Sequence, residues 1–177
     1  GSAFFYLEDL PQSPESELEL SDSLPPPLET GARPDAAPAS GPAGPAARAF
    51  NAGGTGLDKA RALQCMTLAL YYEAANEPTD GQRAVAQVIL NRVAHPSYPN
   101  SVCGVVFQGS ERRTGCQFSF TCDGSLARTP ARAAWDRARR VAAAALAGYV
   151  HAPVGLATHY HATYVLPYWA ASLSNVG

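Results

Sequence analysis

The chain has 177 residues, 46% hydrophobic and 16% charged, with a formal net charge of −2, room for one ordinary domain plus an appendage. No run approaches the roughly 18 consecutive apolar residues of a membrane span, and the first residues do not read as a signal peptide. The charge divides unevenly: residues 1–57 hold eight acids and two arginines, residues 58–177 seven acids and eleven Lys or Arg. A mildly basic domain behind an acidic tail suits an anionic polymer, and its four excess charges are few for a nucleic-acid binder, so no nucleic-acid partner is expected.

Residues 1–57 read as an acidic tail or linker. Pro25-Pro26-Pro27, the Pro/Ala/Gly stretch from Arg33 to Ala47 and Gly53-Gly54 leave few side chains able to bury surface, so the segment cannot offset its own ordering entropy. Phe4, Phe5, Tyr6 and Leu7 break that pattern, as a membrane-proximal remnant, a docking peptide or a sticky accident. The domain proper is expected over 58–177. Asp58 is predicted to cap a helix running to about Ala75, in which Leu63, Met66, Leu70 and Glu73 share one face at 100° per residue. Glu77-Pro78 breaks it. A second helix is predicted from Thr79 or Asp80 to Val93, with Val85, Ala86, Ile89 and Val93 facing inward. A short helical turn over 101–108 follows, then an irregular stretch over 109–128 with extended chain at 116–120. Thr129-Pro130 opens a helix expected to end at Gly148. Residues 157–162 suggest strand, with a closing turn at Pro167. Together these give a mainly helical α+β domain with a small β element.

Cys65, Cys103, Cys116 and Cys122 are even in number, as a disulfide framework needs, and would imply an oxidising compartment. They permit three connectivities. The preferred one joins Cys116 to Cys122 around a short loop and Cys65 to Cys103, tying a helix to the segment after it. Buried free thiols and a zinc site are the alternatives, although no CxxC pair is present.

Glu73 is the leading catalytic candidate. A carboxyl at the end of an apolar helical face, flanked by Tyr71 and Tyr72, can lose enough water for its pKa to rise toward that of a working general acid. The plainer reading is a helix-end carboxylate bonded to an arginine or to a neighbouring helix. Since an acid there opposes the helix dipole, something must compensate it. Glu77 is a second candidate carboxylate four positions on, a pair being the usual equipment for glycosidic cleavage, although Pro78 makes continuous helix through it doubtful.

The string Leu70-Tyr71-Tyr72-Glu73-Ala74-Ala75-Asn76-Glu77-Pro78, with Gly81-Gln82-Arg83-Ala84-Val85-Ala86-Gln87-Val88-Ile89-Leu90-Asn91-Arg92-Val93 after it, resembles the cell-wall hydrolase family typified by the spore-cortex-lytic enzymes (SleB-like). The likeness continues through Pro99–Val106, Gln117-Phe118-Ser119, Thr158-His159-Tyr160-His161 and Pro167-Tyr168-Trp169. It implies a lysozyme-like fold related to lytic transglycosylases and resuscitation-promoting factors. It also implies cleavage of peptidoglycan glycan strands between N-acetylmuramic acid and N-acetylglucosamine, with Glu73 as the essential acid and no cofactor. Gln117 and Ser119 are candidates for hydrogen bonds to the sugars, and Tyr160, His161 and Trp169 for lining or stacking roles, with simple core packing the alternative for Tyr160 and Trp169. His159 and His161 lie on one side of a strand, which raises a metal site as the lesser alternative to a pocket-lining role. They depart from the spore-type pattern and suggest a Gram-negative, secreted variant.

Expected with this reading are a monomer in the periplasm or cell envelope, secreted or held by an anchor since removed, and a regulatory or membrane-proximal partner for the tail. The rival readings are an inactive peptidoglycan-binding or scaffold domain and, third, a zinc-dependent amidase or peptidase.

Overall fold

The computed structural model describes residues 3–7, 47–113, 115–162 and 174–175. The middle of the linker, the turn at Pro167 and Trp169 lie outside the described residues.

Helix α1 spans Gly56–Ala74. Its cap is Thr55 rather than the expected Asp58. Thr55 Oγ1 accepts from the Asp58 N–H at 3.3 Å, while the Asp58 carboxylate accepts from the Thr55 N–H at 2.9 Å. This reciprocal box satisfies two donors where Asp58 as a lone cap would satisfy one, so the helix starts earlier. Met66, Ala69 and Leu70 are fully buried along its inner face.

Helix α2 covers Thr79–Ala94, close to its predicted bounds. Val85, Ala86, Ile89 and Leu90 enter the main core with α1, whereas Ala84 and Val88 form a small second cluster with Val154 and Ala157. Helix α3, Val102–Val106, is capped by Ser101, whose Oγ accepts from the Gly104 N–H at 3.1 Å. Helix α4 covers Arg132–Leu146. Its cap is Ala131 and not the predicted Thr129, because the Ala131 N–H donates to Tyr71 Oη at 2.9 Å. That tie to α1 sets the start of α4, so a tertiary contact overrides the local Thr-Pro signal. At its other end Gly148 takes φ +102°, and the Gly148 and Tyr149 N–H groups turn back to the carbonyls of Ala145 and Ala144, as left-handed helix endings do.

Between α3 and α4 the expected extended stretch at 116–120 stops at Phe118. Ser119–Thr121 turns into a 3-10 helix, since both the Thr121 N–H and its hydroxyl donate to the Phe118 carbonyl. A second 3-10 turn spans Ser125–Ala127. Both preferred disulfides are formed, Cys65–Cys103 joining α1 to α3 and Cys116–Cys122 closing the loop. A small antiparallel sheet completes the fold. Strands β1 (Ala3–Leu7), β2 (His159–Ala162) and β3 (Ser174–Asn175) lie in the order β2-β1-β3. In register, Phe4 is opposite His161 and Phe5 opposite Tyr160. The apolar cluster at the head of the tail is therefore the central strand. Among the described residues no helix is long and apolar enough to cross a membrane.

Candidate active site

Glu73 occupies the last turn of α1, where Leu70 and Ala69 beneath it are fully buried. Its neighbours in sequence hold the surrounding protein in place. Tyr72 stacks on Phe120 with centroids 4.8 Å apart, and its hydroxyl donates to the Ser125 carbonyl at 3.0 Å. Tyr71 packs edge-on against Trp135 and receives the Ala131 N–H. One tyrosine thus fixes the 3-10 loop and the other the start of α4, so the helix end is enclosed on two sides while Glu73 keeps solvent access. Desolvation by that enclosure raises the Glu73 carboxyl above its ordinary range, and the negative charge of Asp123 adds to the effect. A carboxyl so placed holds its proton longer and can hand it to a leaving group.

Asp123 was not legible as a site residue. Its carboxylate accepts from the Ser125 backbone N–H at 2.8 Å, and bonds from the Ser125 side chain and backbone hold its pKa below the ordinary aspartate value. The pair therefore has opposite tendencies: Glu73 favours the acid form and Asp123 the anion. The second carboxylate expected from sequence was Glu77. It is exposed, with its side chain over the first turn of α2; a Cβ on Gly81 would sit 2.9 Å from Glu77 Cβ. The charge that acts on Glu73 comes from Asp123.

The other candidates divide by burial. Gln117 is half-buried and Ser119 exposed, with Phe118 between them turned into the core. Tyr160, on β2, packs against the main core and the small cluster alike. Burial pushes its phenol well above the ordinary range, with the charge of Glu73 adding and that of Arg92 opposing. Tyr160 is therefore a neutral hydroxyl near the acid. His161 is buried and His159 half-buried on the same strand. Among the described residues no group of three His, Cys, Asp or Glu side chains converges as a metal site would require.

Strand β2 is positioned by α2. Asn91 Nδ2 donates to the carbonyls of Gly155 and Ala157 at 3.0 and 2.8 Å, and Arg92 Nε donates to the Thr158 carbonyl at 2.6 Å. Gln87 Nε2 donates to Asn91 Oδ1 and Gln87 Oε1 accepts from the His151 N–H. The bonds of Asn91 and Arg92 run to the segment that leads into β2. Such bonds join residues 64 to 66 positions apart, a pairing that no local pattern signals.

A mainly helical domain with a desolvated glutamate at the end of its buried helix is the lysozyme-like arrangement that the motifs implied. Residues 76–176 match the Cell Wall Hydrolase family, more than half of the chain, and the chain belongs to that family. Glu73 lies three residues ahead of the matched region. Among solved structures, the fold is similar to the catalytic domain of Bacillus cereus SleB, at 31% identity and TM-score 0.54, covering 71% of this chain and 88% of that one. It is also similar to the catalytic domain of the germination-specific lytic transglycosylase SleB from Bacillus anthracis, at 33% identity and TM-score 0.51, covering 68% and 88%. The spore cortex-lytic enzyme of Halalkalibacterium halodurans is 41% identical over 98 residues, 55% of this chain and 26% of that protein. The chain thus spans about a quarter of the length of the curated relatives it matches.

Proposed function

We propose that this chain cuts the glycan strand of peptidoglycan between N-acetylmuramic acid and N-acetylglucosamine, with Glu73 as general acid. The observation that carries the reading is the position of Glu73 in the last turn of α1 in a member of the Cell Wall Hydrolase family, with desolvation and the charge of Asp123 raising its carboxyl. Its proton passes to the bridging oxygen as the bond from the muramic anomeric carbon breaks, and positive charge develops on that carbon. Tyr160, uncharged beside the acid, offers a hydroxyl without a competing negative charge. Gln117 and Ser119 would bond the sugars, His161 would line the cleft and Trp169 would stack on a ring.

The anhydro route is the version preferred. The muramic 6-hydroxyl closes a ring on its own anomeric carbon, and ionised Glu73 takes that hydroxyl's proton, so the acid is regenerated without a water nucleophile. One carboxyl then suffices. The solved relative from Bacillus anthracis described as a lytic transglycosylase supports this choice. If water attacks instead, a base on the opposite side is needed, which would bring Asp123 or Glu77 into the chemistry.

Mass spectrometry of digested sacculi tests both levels. Anhydro-muropeptides are expected; reducing ends would replace the transglycosylase reading with a muramidase. No release from any sacculus while binding persists would replace it with a binding domain. The two disulfides support an oxidising location, the periplasm or cell envelope. Residues 1–57 are read as an acidic appendage to a catalytic domain over 58–177. Deleting 1–50 removes the strand between β2 and β3 and is expected to lower the thermal midpoint. An unchanged midpoint and activity would leave the tail as a spacer.

A further inference from the structure

A carboxyl in the last turn of a helix faces the negative end of the helix dipole and the carbonyls that no later N–H completes. The last turn of α1 contains Glu73 and no basic residue. Its compensation comes from other helices. Gln82, fully buried on α2, donates from Nε2 to the Ala74 carbonyl at 3.0 Å, a second bond beside the Glu77 N–H that reaches the same oxygen at 3.1 Å. Arg137, half-buried on α4, donates from a terminal guanidinium nitrogen to the Ala75 carbonyl. These are the two residues that follow Glu73.

Both donors are costly to the fold. Gln82 Oε1 and Arg137 Nε are buried with no hydrogen-bond partner among the described residues, and an unpaired buried polar atom loses its bonds to water without replacing them. Apolar side chains would avoid that penalty. What they could not do is tie these two carbonyls to α2 and α4. We propose that Gln82 and Arg137 are positioning residues for Glu73: by holding the Ala74 and Ala75 carbonyls from two different helices, they fix the end of α1 and the direction in which it presents its carboxyl. The inference rests on Glu73 being the acid. The charged group that acts on Glu73 from a neighbouring element is Asp123 in the 3-10 loop, while Glu73 and Arg92 act in opposite directions on Tyr160 of β2. Arg137 adds the positive charge at the helix terminus itself.

The test compares wild type with Arg137→Met, Arg137→Lys and Gln82→Met on purified sacculi, reading kcat, KM and the alkaline limb of the rate profile. Arg137→Met is expected to lower kcat about tenfold through misalignment of the acid, with KM within twofold. Without the guanidinium the helix end becomes more negative, so Glu73 holds its proton tighter and the alkaline limb moves to higher pH. Arg137→Lys restores part of both effects, and Gln82→Met lowers kcat with a smaller limb shift. Carbon-13 titration of the Glu73 carboxyl reads the same displacement without any substrate. If the limb and the titration stay in place while only the thermal midpoint falls, the two residues are structural and the inference is overturned. Wild type that releases nothing, or Glu73→Gln that keeps full activity, would defeat the proposed function instead, and the carboxyl titration would still decide whether Arg137 acts on Glu73.

Discussion

The two walls that meet around Glu73 are held by different forces. The helical wall, α1 with α3 and α4, rests on apolar packing: Met66, Leu70, Val105, Val106 and Ala138 are fully buried in one cluster, and Cys65–Cys103 staples it. Among the described residues, the β2 wall has a small buried apolar cluster of its own, Ala84, Val88, Val154 and Ala157, and meets the main core through Tyr160. Its position depends instead on Gln87, Asn91 and Arg92, which reach across from α2 to backbone groups at 151–158. Apolar packing is non-directional and tolerates small adjustments, whereas side-chain bonds to particular carbonyls fix an angle and a register. The acid thus sits on the robust wall, and the neighbouring Tyr160 on the one set by geometry.

The largest effect is expected at the acid. Glu73→Gln should lower muropeptide release by about a thousandfold, within the range for loss of a general acid, while sacculus binding persists. Because the folded pKa of Glu73 is raised, its favourable contribution to stability is complete below the unfolded pKa and is lost as pH rises through the folded one. Glu73→Gln should therefore raise the thermal midpoint at neutral pH, with the gain fading as pH falls toward about 4, the unfolded glutamate value. A midpoint that drops at pH 7 would mean the carboxylate is satisfied rather than desolvated.

The walls themselves are separated by the next two changes. Opening Cys65–Cys103, which are 38 residues apart, by Cys→Ala at both positions should cost about 4 kcal/mol of unfolding free energy on the chain-entropy account. Opening Cys116–Cys122, 6 apart, should cost about 2 kcal/mol on the same account. Denaturant midpoints under non-reducing conditions check the order; equal losses would show that the loop staple matters as much as the helical one. On the other wall, Asn91→Leu unpairs the Gly155 and Ala157 carbonyls and should cost about 2 kcal/mol. Hydrogen exchange should then rise first in 155–162, leaving α1 protected. Uniform loss of protection would erase the distinction between the walls.

The smallest effect is electrostatic. Asp123→Asn removes a negative charge that favours the protonated form of Glu73, so the alkaline limb of activity should move to lower pH, by less than one pH unit for an exposed, screened pair. A limb that stays put, or moves up, would remove Asp123 from the site.

The helical wall and its acid were readable in the sequence because the relevant signals are local. The spacing of Met66, Leu70 and Glu73 puts the carboxyl at the solvent-accessible end of the apolar stripe of one helix, Pro78 follows that end, and the ordered motifs around it belong to one family. Even the need to offset an acid at a helix terminus followed from the sequence. What supplied the offset did not: Gln82 and Arg137 reach the end of α1 from two other helices. Asp123, the bonds from Asn91 and Arg92, and the pairing of Phe4 and Phe5 with β2 likewise join positions far apart in the chain. Hydrophobic period and capping act over three or four residues, so the sequence determines which helices form and which face each buries. Which distant side chain completes a particular carbonyl, or lies beside a particular carboxyl, depends on angles between packed elements, and those are set only when the whole core closes.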